Sequence, residues 1–576
     1  MVRAGAQCAP RYLSEDPAMP PTSASTGARP RRGEGQWALG YREPLNKNEE
    51  NKKNDDGLNV QQRIIDIYSK AGFDSIDPAD LRGRFRWLGL YTQRAPGIDG
   101  GKTAVLEPEE LDDRYFMLRV RIDGGRLSVA QLRAIGEIST SYARDTADVT
   151  DRQNVQLHWI RVEDVPAIWE KLESVGLSTM EACGDTPRVI LGCPLAGIDA
   201  DEIVDASPQI DRIYDEYIGS QLFSNLPRKF KTSVSGCSAF CTNHEINDVS
   251  FQGVIGPDGT PGFDLFVGGG LSTNPMFAQR LGAFVRPDQV TEVWAGVTSV
   301  FRDYGYRRLR HRARIKFLIK DWGAARFREV LEKEYLGYAL PDGPEVDMRE
   351  GLQRDHIGVH RQRDGRNYIG FAPRVGRVSG TLLSRIAGIA EEHGSDRIRT
   401  TADQKLVVLD IDDDRVESAT AALEAEDLQV RPSVFRRQTM ACTGIEFCKL
   451  AIVETKDRGA SLIDELERRL PDFPEPVTIN LNGCPNSCAR IQVADIGLKG
   501  QLVTDSEGRQ VEGFQVHLGG GMGLTAAFGR KVRGLKTTSA ELPDYIERVL
   551  RRFLDKREDG ESFAAWAARA EDGDLK

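Results

Sequence analysis

Apolar and polar positions follow two periods along this chain, and the same succession of periods occurs twice. Residues 115–177 contain YFMLRVRIDGGRLSVAQLRAIGEIS, DVTDRQNVQLHWI and AIWEKLESVGL, where strand-like alternation gives way to apolar residues at helical spacing. Residues 356–428 repeat this order with HIGVHRQRDGRNYIGFAPRVGRVSGTLLSRIAGIA, DRIRTTADQKLVVLDI and ESATAALEAEDL. Each copy therefore predicts a strand, a glycine-containing turn, a helix, a strand and a helix.

A second matching stretch follows each copy. KTSVSGCSAFCTNHEINDVSFQGVIG, ending in GFDLFVGGG, occupies 231–270, and TINLNGCPNSCARIQVADIGLKGQLV, ending in GFQVHLGGG, occupies 478–521. The sequence therefore predicts a tandem duplication of the α+β class. In each half, a ferredoxin-like module precedes an α/β module. We expect the four modules at 58–180, 181–350, 351–432 and 433–576. A duplication also predicts a pseudo-two-fold axis, with a large ligand where the halves meet.

Composition restricts the class of protein further. The chain has 576 residues, 40% hydrophobic and 28% charged, which is too long for one core and ordinary for a water-soluble protein. The formal net charge of −10 argues against a nucleic-acid binder. We expect no membrane span, because no apolar run reaches 18 residues. The N-terminus has no apolar signal region, so we expect a cytoplasmic protein, with residues 1–57 as a flexible extension.

Four of the nine cysteines form two local pairs. Cys442 and Cys448 are separated by five residues, and Cys484 and Cys488 by three. Two pairs of thiolates suit a [4Fe–4S] cluster, which needs one cysteine per iron. Zinc is the competing metal, but it favours a shorter spacing within each pair of cysteines. The alternative to any metal site is four unrelated buried thiols.

The segments ACTGIEFC and NGCPNSCARIQVADIG resemble the cluster signature of the sirohaem-dependent sulfite and nitrite reductases. The resemblance extends over roughly residues 60–570 and includes DRQNVQLHWI, ACGDTPR, NLPRKFK and HEINDV. It implies that Cys442, Cys448, Cys484 and Cys488 hold a [4Fe–4S] cluster and that Cys488 also ligates the iron of sirohaem. The first half departs from this pattern, because Cys237 and Cys241 align with Cys484 and Cys488. We expect a vestige of the duplication there, with a zinc site or second cluster as alternatives.

Reduction of an oxyanion needs fixed positive charge and proton donors in a dry pocket. Candidates on separate predicted strands are Arg119, Arg188, Lys229 and Lys231. The pattern does not separate Arg119 from Arg121, and any single cation could simply face water. The resemblance selects these four as substrate-binding residues. It also favours sulfite, because the nitrite reductases typically have asparagine at the position of Lys231.

A large anionic cofactor also needs many donors around its rim. Arg152, Asn154, Gln156 and His158 share one face of a predicted strand, which could equally face solvent. The resemblance implies that Arg152, Asn154 and Gln156 contact sirohaem, and that the basic run 307–316 binds its carboxylates. The two glycine runs, at 268–270 and 519–523, are expected to approach the cofactor with free backbone N–H groups. Cys183 is an inert buried thiol or, beside a redox haem, a partner for crosslinking to a tyrosine such as Tyr91.

The combined prediction is a monomeric enzyme that reduces sulfite to sulfide by six electrons. No dedicated nicotinamide or flavin domain is evident, so we expect electrons to arrive from a partner. The resemblance implies that this partner is reduced ferredoxin, with an NADPH-oxidising flavoprotein as the alternative donor. Nitrite is the alternative substrate. A non-catalytic iron–sulfur protein or zinc-stabilised scaffold would explain the four cysteines, but not the basic pocket in the other half of the duplication.

Overall fold

The structure is a computed structural model that describes residues 45–347 and 355–576. Its strands are β1 Leu90–Arg94, β2 Asp112–Val120, β3 Arg126–Ser128, β4 Ala147–Val149, β5 Val155–Ile160, β6 Pro187–Gly192, β7 Phe230–Ser235, β8 Val249–Ile255, β9 Pro261–Val267, β10 Gln279–Val285, β11 Gly358–Arg361, β12 Asn367–Phe371, β13 Arg377–Val378, β14 Arg397–Thr400, β15 Leu406–Ile411, β16 Thr439–Ala441, β17 Ile479–Asn482, β18 Ile496–Thr504, β19 Gln510–Leu518 and β20 Lys536–Thr538.

The α-helices of the described chain are α1 Lys47–Asn54, α2 Val60–Arg63, α3 Ser69–Ala71, α4 Pro78–Arg82, α5 Pro108–Leu111, α6 Val129–Tyr142, α7 Val165–Glu173, α8 Ser207–Tyr217, α9 Val290–Tyr304, α10 Ile315–Val330, α11 Gly380–Glu392, α12 Val416–Ala425, α13 Val434–Gln438, α14 Lys456–Arg469, α15 Leu542–Lys556, α16 Phe563–Arg569 and α17 Asp572–Leu575. None of these helices is long and apolar enough to cross a membrane.

The two ferredoxin-like modules form a pair of five-stranded sheets that exchange one strand each. The first sheet has the order β1-β2-β5-β4-β13 and the second has the order β11-β12-β15-β14-β3. Strand β13 belongs in sequence to the second half and β3 to the first, so each half completes the sheet of the other. This exchange ties the two halves together by backbone hydrogen bonds, because neither sheet is complete without both halves.

Helices α6 and α11 pack against each other across the same pseudo-axis. Both begin at a serine cap, since Ser128 accepts a hydrogen bond from the Gln131 amide at 3.1 Å and Ser379 from the Leu382 amide at 2.9 Å. A Cβ added to Gly136 would lie 2.6 Å from the Gly380 carbonyl oxygen. The two backbones therefore approach more closely than any side chain at that position would allow.

The α/β modules share one topology, which confirms the duplication. In the first, β6, β7 and β8 are parallel neighbours, and β9 and β10 add antiparallel strands. In the second, β16, β17 and β18 are parallel, and β19 and β20 continue in antiparallel fashion. The carboxyl ends of the parallel strands lead into the cysteine-containing loops in both modules, so the fold places these loops at equivalent edges.

The sequence predicts a flexible extension up to residue 57, but the structure has a packed helix near its C-terminal end. Helix α1 packs into the first half, with Glu49 only 1% and Lys52 only 7% exposed. The Lys52 ammonium lies 3.3 Å from the Asp185 carboxylate, and Glu49 lies 3.1 Å from Arg307. The prediction of flexibility from the polar composition was wrong for this helix, because buried ion pairs rather than apolar contacts hold it in place. Residues 1–44 of the expected extension lie outside the described residues.

Candidate active site

The four cysteines predicted to hold a cluster occupy two loops at the edge of the second α/β module. Cys442 follows β16 directly, and its amide donates to the Leu481 carbonyl of β17 at 3.0 Å. The Gly483 amide donates to the Cys442 sulfur at 3.2 Å. In the second loop the Asn482 side chain donates to the Cys484 carbonyl at 2.6 Å and accepts from the Ala489 amide at 2.9 Å. Hydrogen bonds within the protein therefore fix both loops without the help of a metal.

A glutamine with left-handed backbone braces each of the two equivalent loops. Gln404, at φ 60°, exchanges two hydrogen bonds with the backbone of Ala441, the residue before Cys442. Gln153, at φ 57°, makes the same pair of bonds with Gly192, the residue before Cys193. The two halves therefore share the same glutamine contact to the start of the cysteine-containing loop.

The four thiols interact electrostatically with one another. Burial, together with negative charge on Cys488 and Cys448, raises the pKa of Cys442 to about 12. Burial and the charge of Cys488 likewise raise the pKa of Cys448 and of Cys484. Four thiolates in this space are unfavourable unless a cation compensates them, so the site suits a metal cluster.

The four predicted substrate-binding cations lie in the first half, and two of them, Arg119 and Lys229, interact with Cys488. Arg119 lies on β2, Arg188 on β6 and Lys231 on β7, and Lys229 immediately precedes β7. Charge on Cys488 raises the pKa of Arg119, and it opposes the lowering of the Lys229 pKa. The fold therefore brings the cations of one half to the thiol of the other, which no spacing within the sequence could show.

Crowding of positive charge makes this pocket a strong anion site. Burial, followed by repulsion from Lys231, holds the pKa of Lys229 well below its usual range. Burial and the charge of Arg152 lower the pKa of Lys231 to about 8. Bound anions would relieve this repulsion, and a lysine with a pKa near neutrality can also donate a proton.

The hydrogen bonds of Arg119 and Arg121 distinguish their roles, which the sequence pattern cannot do. Arg121 is 3% exposed and forms a bidentate pair with Asp123 at 2.6 and 2.9 Å, so its charge is neutralised within the protein. Arg119 instead donates to the Gln156 side-chain oxygen. The Gln156 amide donates to the Thr443 hydroxyl at 3.1 Å, beside Cys442. Gln156 therefore connects the anion pocket to the cysteine loop.

The remaining predicted rim residues are buried and partly used for structure. Arg152 donates to Asn247 at 2.5 Å and to the Val189 carbonyl at 2.8 Å, while its Nε has no protein partner. The Asn154 side-chain oxygen accepts from the Ile122 amide at 3.1 Å, and its Nδ2 is likewise unpartnered. His158 is a structural residue, because it bonds Asp148 at 3.0 Å and stacks on Phe447 at 3.8 Å between ring centroids.

The basic run 307–316 is neither a solvated helix face nor a row of free charges. Arg314 forms three hydrogen bonds of 2.8–3.0 Å with Asp248, and Arg310 pairs with Asp185. Lys316 donates to backbone carbonyls, the closest being that of Asn274 at 2.6 Å. The proposed binding of sirohaem carboxylates by this run stays a prediction, and most of these cations already have internal partners.

The glycine runs do not offer free amides, which corrects the expectation from the sequence. The Gly269 amide donates to the Asn247 carbonyl at 2.8 Å, and the Gly520 amide to the Ala494 carbonyl at 3.0 Å. A Cβ on Gly269 would lie 2.3 Å from the Glu245 carbonyl oxygen. Glycine is required here by close approach of protein backbone, not by a bound anion.

Sequence reasoning missed several groups that complete the site. Thr443 follows Cys442 and accepts from Gln156, and Asp248 both pairs with Arg314 and accepts from the Lys231 amide at 2.8 Å. The HEINDV motif contains Asp248 and was the available signal, although the sequence does not reveal its partners. Tyr91 and Cys183 both face Arg119, and burial and the Cys183 thiolate raise the pKa of Tyr91.

Comparison with known proteins agrees with this geometry. The family model described as the nitrite and sulphite reductase 4Fe-4S domain matches residues 183–339 and 435–570. The model of the nitrite/sulfite reductase ferredoxin-like half domain matches residues 109–175 and 360–426. The chain belongs to the nitrite and sulphite reductase family. The matched segments alternate along the chain, so the two modules of each half are those of this reductase family.

Individual members of the nitrite and sulphite reductase family match almost the full length. Sulfite reductase [ferredoxin] 2 of Mycolicibacterium paratuberculosis is 60% identical over 96% of this chain and 100% of that protein. The solved structure of the Mycobacterium tuberculosis NirA protein has a TM-score of 0.92 and 59% identity, covering 95% of this chain and 100% of that chain. The assimilatory ferredoxin-dependent nitrite reductase of Haloferax mediterranei is 35% identical over 87% of this chain and 88% of that protein.

The cofactors of this reductase family are sirohaem and a [4Fe–4S] cluster, and the described residues fit both. Four thiolates so close together are unfavourable without a metal, and the crowded cations of the first half suit an anion. The unpartnered buried nitrogens of Arg152 and Asn154 also suit a cofactor rim rich in carboxylates.

Proposed function

We propose that this chain reduces sulfite to sulfide with six electrons supplied one at a time. The observation that supports this proposal is the crowding of cations in the first half, where Lys229 is repelled by Lys231 and Arg188, and where Arg119 and Lys229 interact with Cys488. The relatives at 59–60% identity that are named for an activity are sulfite reductases, whereas the nitrite reductase relative is at 35%. Lys231, at the position where the family resemblance expects asparagine for nitrite, supports sulfite further.

Cys442, Cys448, Cys484 and Cys488 would hold the cluster, and Cys488 would also face the sirohaem iron. When bound, these groups supply an iron that accepts sulfite through sulfur and a coupled store of single electrons. Arg152, Asn154 and Gln156 would contact the sirohaem rim. The Gly483 N–H bond to the Cys442 sulfur stabilises the thiolate form that a metal requires.

The four cations have different tasks in the proposed reaction. Arg119 is oriented by Gln156 and Arg188 by the Gly184 carbonyl at 3.0 Å, so both present fixed positive charge to the sulfite oxygens. Lys229 and Lys231 add positive charge and, because their pKa values are lowered, give up protons at neutral pH. Each oxygen that leaves as water must receive two protons, and in this proposal the two lysines deliver them.

The electron donor in this proposal is reduced ferredoxin. An apolar patch lies next to the cysteine loop: Leu450 is 60% exposed and only two residues from Cys448. Val105, at 73% exposure, belongs to the neighbouring segment, in which Thr103 donates to the Ala451 carbonyl at 2.7 Å. A donor that docks on Leu450 and Val105 would have a short path to the cluster. A cytoplasmic location and a monomeric state remain predictions from the sequence.

A steady-state comparison of sulfite and nitrite tests the substrate. The protein loaded with sirohaem and cluster is assayed with reduced ferredoxin, and kcat/KM is measured for both anions along with sulfide and ammonia production. We expect a clear preference for sulfite, with sulfide as product. A preference for nitrite, with ammonia as product, would keep the cofactors and overturn the substrate.

A further inference from the structure

A second cluster of metal-binding side chains lies in the first half, away from the cation pocket. Cys193 follows β6, as Cys442 follows β16, and Cys237 and Cys241 follow β7, as Cys484 and Cys488 follow β17. The ligand atoms of Cys193, Cys241 and His356 all lie within 4.8 Å of one another. We infer that Cys193, Cys237, Cys241 and His356 form a mononuclear zinc site.

The Cys237 thiol provides the fourth ligand. It shares hydrogen bonds with the thiols of both Cys193 and Cys241. It is also 3.7 Å from the Asp199 carboxylate, and it accepts from the Ala239 amide at 3.3 Å. Asp199 occupies the place that corresponds to Cys448 in the second half, so this half lacks the fourth cysteine of a cluster and recruits a histidine from elsewhere.

His356 comes from the segment that leads into β11 of the second ferredoxin-like module, far away in the sequence. Its Nε2 is buried and has no hydrogen-bond partner, and the residue is 2% exposed. An unpartnered buried nitrogen is costly unless something occupies it, and a metal ion does so. The sequence does not indicate His356 as a ligand, because this residue is close to the cysteines in space alone.

Ligand spacing distinguishes a single ion from a cluster. Tetrahedral zinc, with bonds of about 2.3 Å to sulfur and about 2.0 Å to nitrogen, places its ligand atoms about 3.5–3.8 Å apart. The cysteine sulfurs of a [4Fe–4S] cluster lie about 6 Å apart, because each binds a different iron. The mutual distances below 4.8 Å between the ligand atoms of Cys193, Cys241 and His356 therefore suit one ion.

The surroundings also resemble those of a structural metal site. Cys193, Cys237 and Cys241 are 1–3% exposed, so no open position remains for a substrate. The same apolar cluster contains Leu195, Ile198, Tyr368 and Val407, which exclude water. Because β12 and β15 belong to the second half, the ion would join the two halves of the duplication beside their exchanged strands.

Metal analysis of the intact holoprotein tests this inference. Protein purified without chelators or a metal-affinity tag is measured by plasma mass spectrometry, and we expect about one zinc per chain beside the cofactor iron. Cys241→Ser and His356→Gln should each lower zinc at least about tenfold. His517→Gln is the matched control, since His517 is also 2% exposed with both ring nitrogens unpartnered, and it should retain zinc.

X-ray absorption at the zinc edge of the unaltered protein keeps the test independent of how well the variants fold. Three sulfurs at about 2.3 Å and one nitrogen at about 2.0 Å are expected. The inference would be overturned if the protein contained no zinc, or if excess iron indicated a second cluster. Zinc bound only by oxygen and nitrogen, or retained in both ligand variants, would also overturn it.

Discussion

Replacing Lys231 by asparagine tests the proposed substrate at one side chain. Asparagine keeps a hydrogen-bond donor and removes the charge. A charge-assisted hydrogen bond contributes about 1.5–3 kcal/mol, so kcat/KM for sulfite should fall about 10- to 150-fold at 25 °C. Sulfite has three oxygens and up to two negative charges, whereas nitrite has two oxygens and one charge. The loss should therefore be smaller for nitrite.

The pKa of Lys231 adds a pH signature to this test. Burial and the charge of Arg152 lower the pKa to about 8, so the side chain is cationic below that pH and neutral above it. We expect kcat/KM for sulfite to decline as the pH rises through about 8. Lys231→Arg keeps its charge, so the decline should move to higher pH. The charged groups facing Lys231 are Lys229, Arg152, Arg314, Lys316, Asp151 and Asp248.

The assay uses an artificial reductant, reduced methyl viologen, so that ferredoxin docking does not limit the rates. Sulfide and ammonia are quantified over a pH series for the unaltered protein and both variants. Lys499→Asn is a control, because burial lowers the pKa of Lys499 as well and its charged neighbours are Lys531 and Lys536, outside the pocket. Equal losses for sulfite and nitrite in Lys231→Asn, or an unmoved alkaline decline in Lys231→Arg, would refute the reasoning.

Two further predictions concern the electron entry point and the thiol beside the pocket. Leu450→Glu should raise the KM for ferredoxin about tenfold and leave the viologen-supported rate unchanged; the equally exposed Leu524→Glu is its control, and parallel losses in both assays would contradict docking at Leu450. If Cys183 and Tyr91 are crosslinked, the intact mass should be two hydrogens below the sequence value, and Cys183→Ser should abolish that deficit. An undiminished mass for the unaltered protein would leave Cys183 as an ordinary buried thiol.

The sequence alone determined the fold class and the duplication, and it predicted the cluster cysteines. Apolar periodicity is a local property, so it marked helices such as Val129–Tyr142 and Gly380–Glu392 in both copies, in the order that the structure has. Cysteine spacing is equally local, and it paired Cys442 with Cys448 and Cys484 with Cys488, although Cys237 and Cys241 have the same spacing as the second pair. These features depend on neighbours within a few turns of chain, so one sequence suffices to identify them.

Only the tertiary structure decided how charges and ligands are shared between distant segments. Arg119 and Arg121 have the same pattern, and only the pairing of Arg121 with Asp123 leaves Arg119 for an anion. The exchange of β3 and β13 and the meeting of His356 with Cys193 join residues more than a hundred positions apart. Whether a buried polar group is free or satisfied depends on every segment that packs around it, and that information exists only in the folded chain.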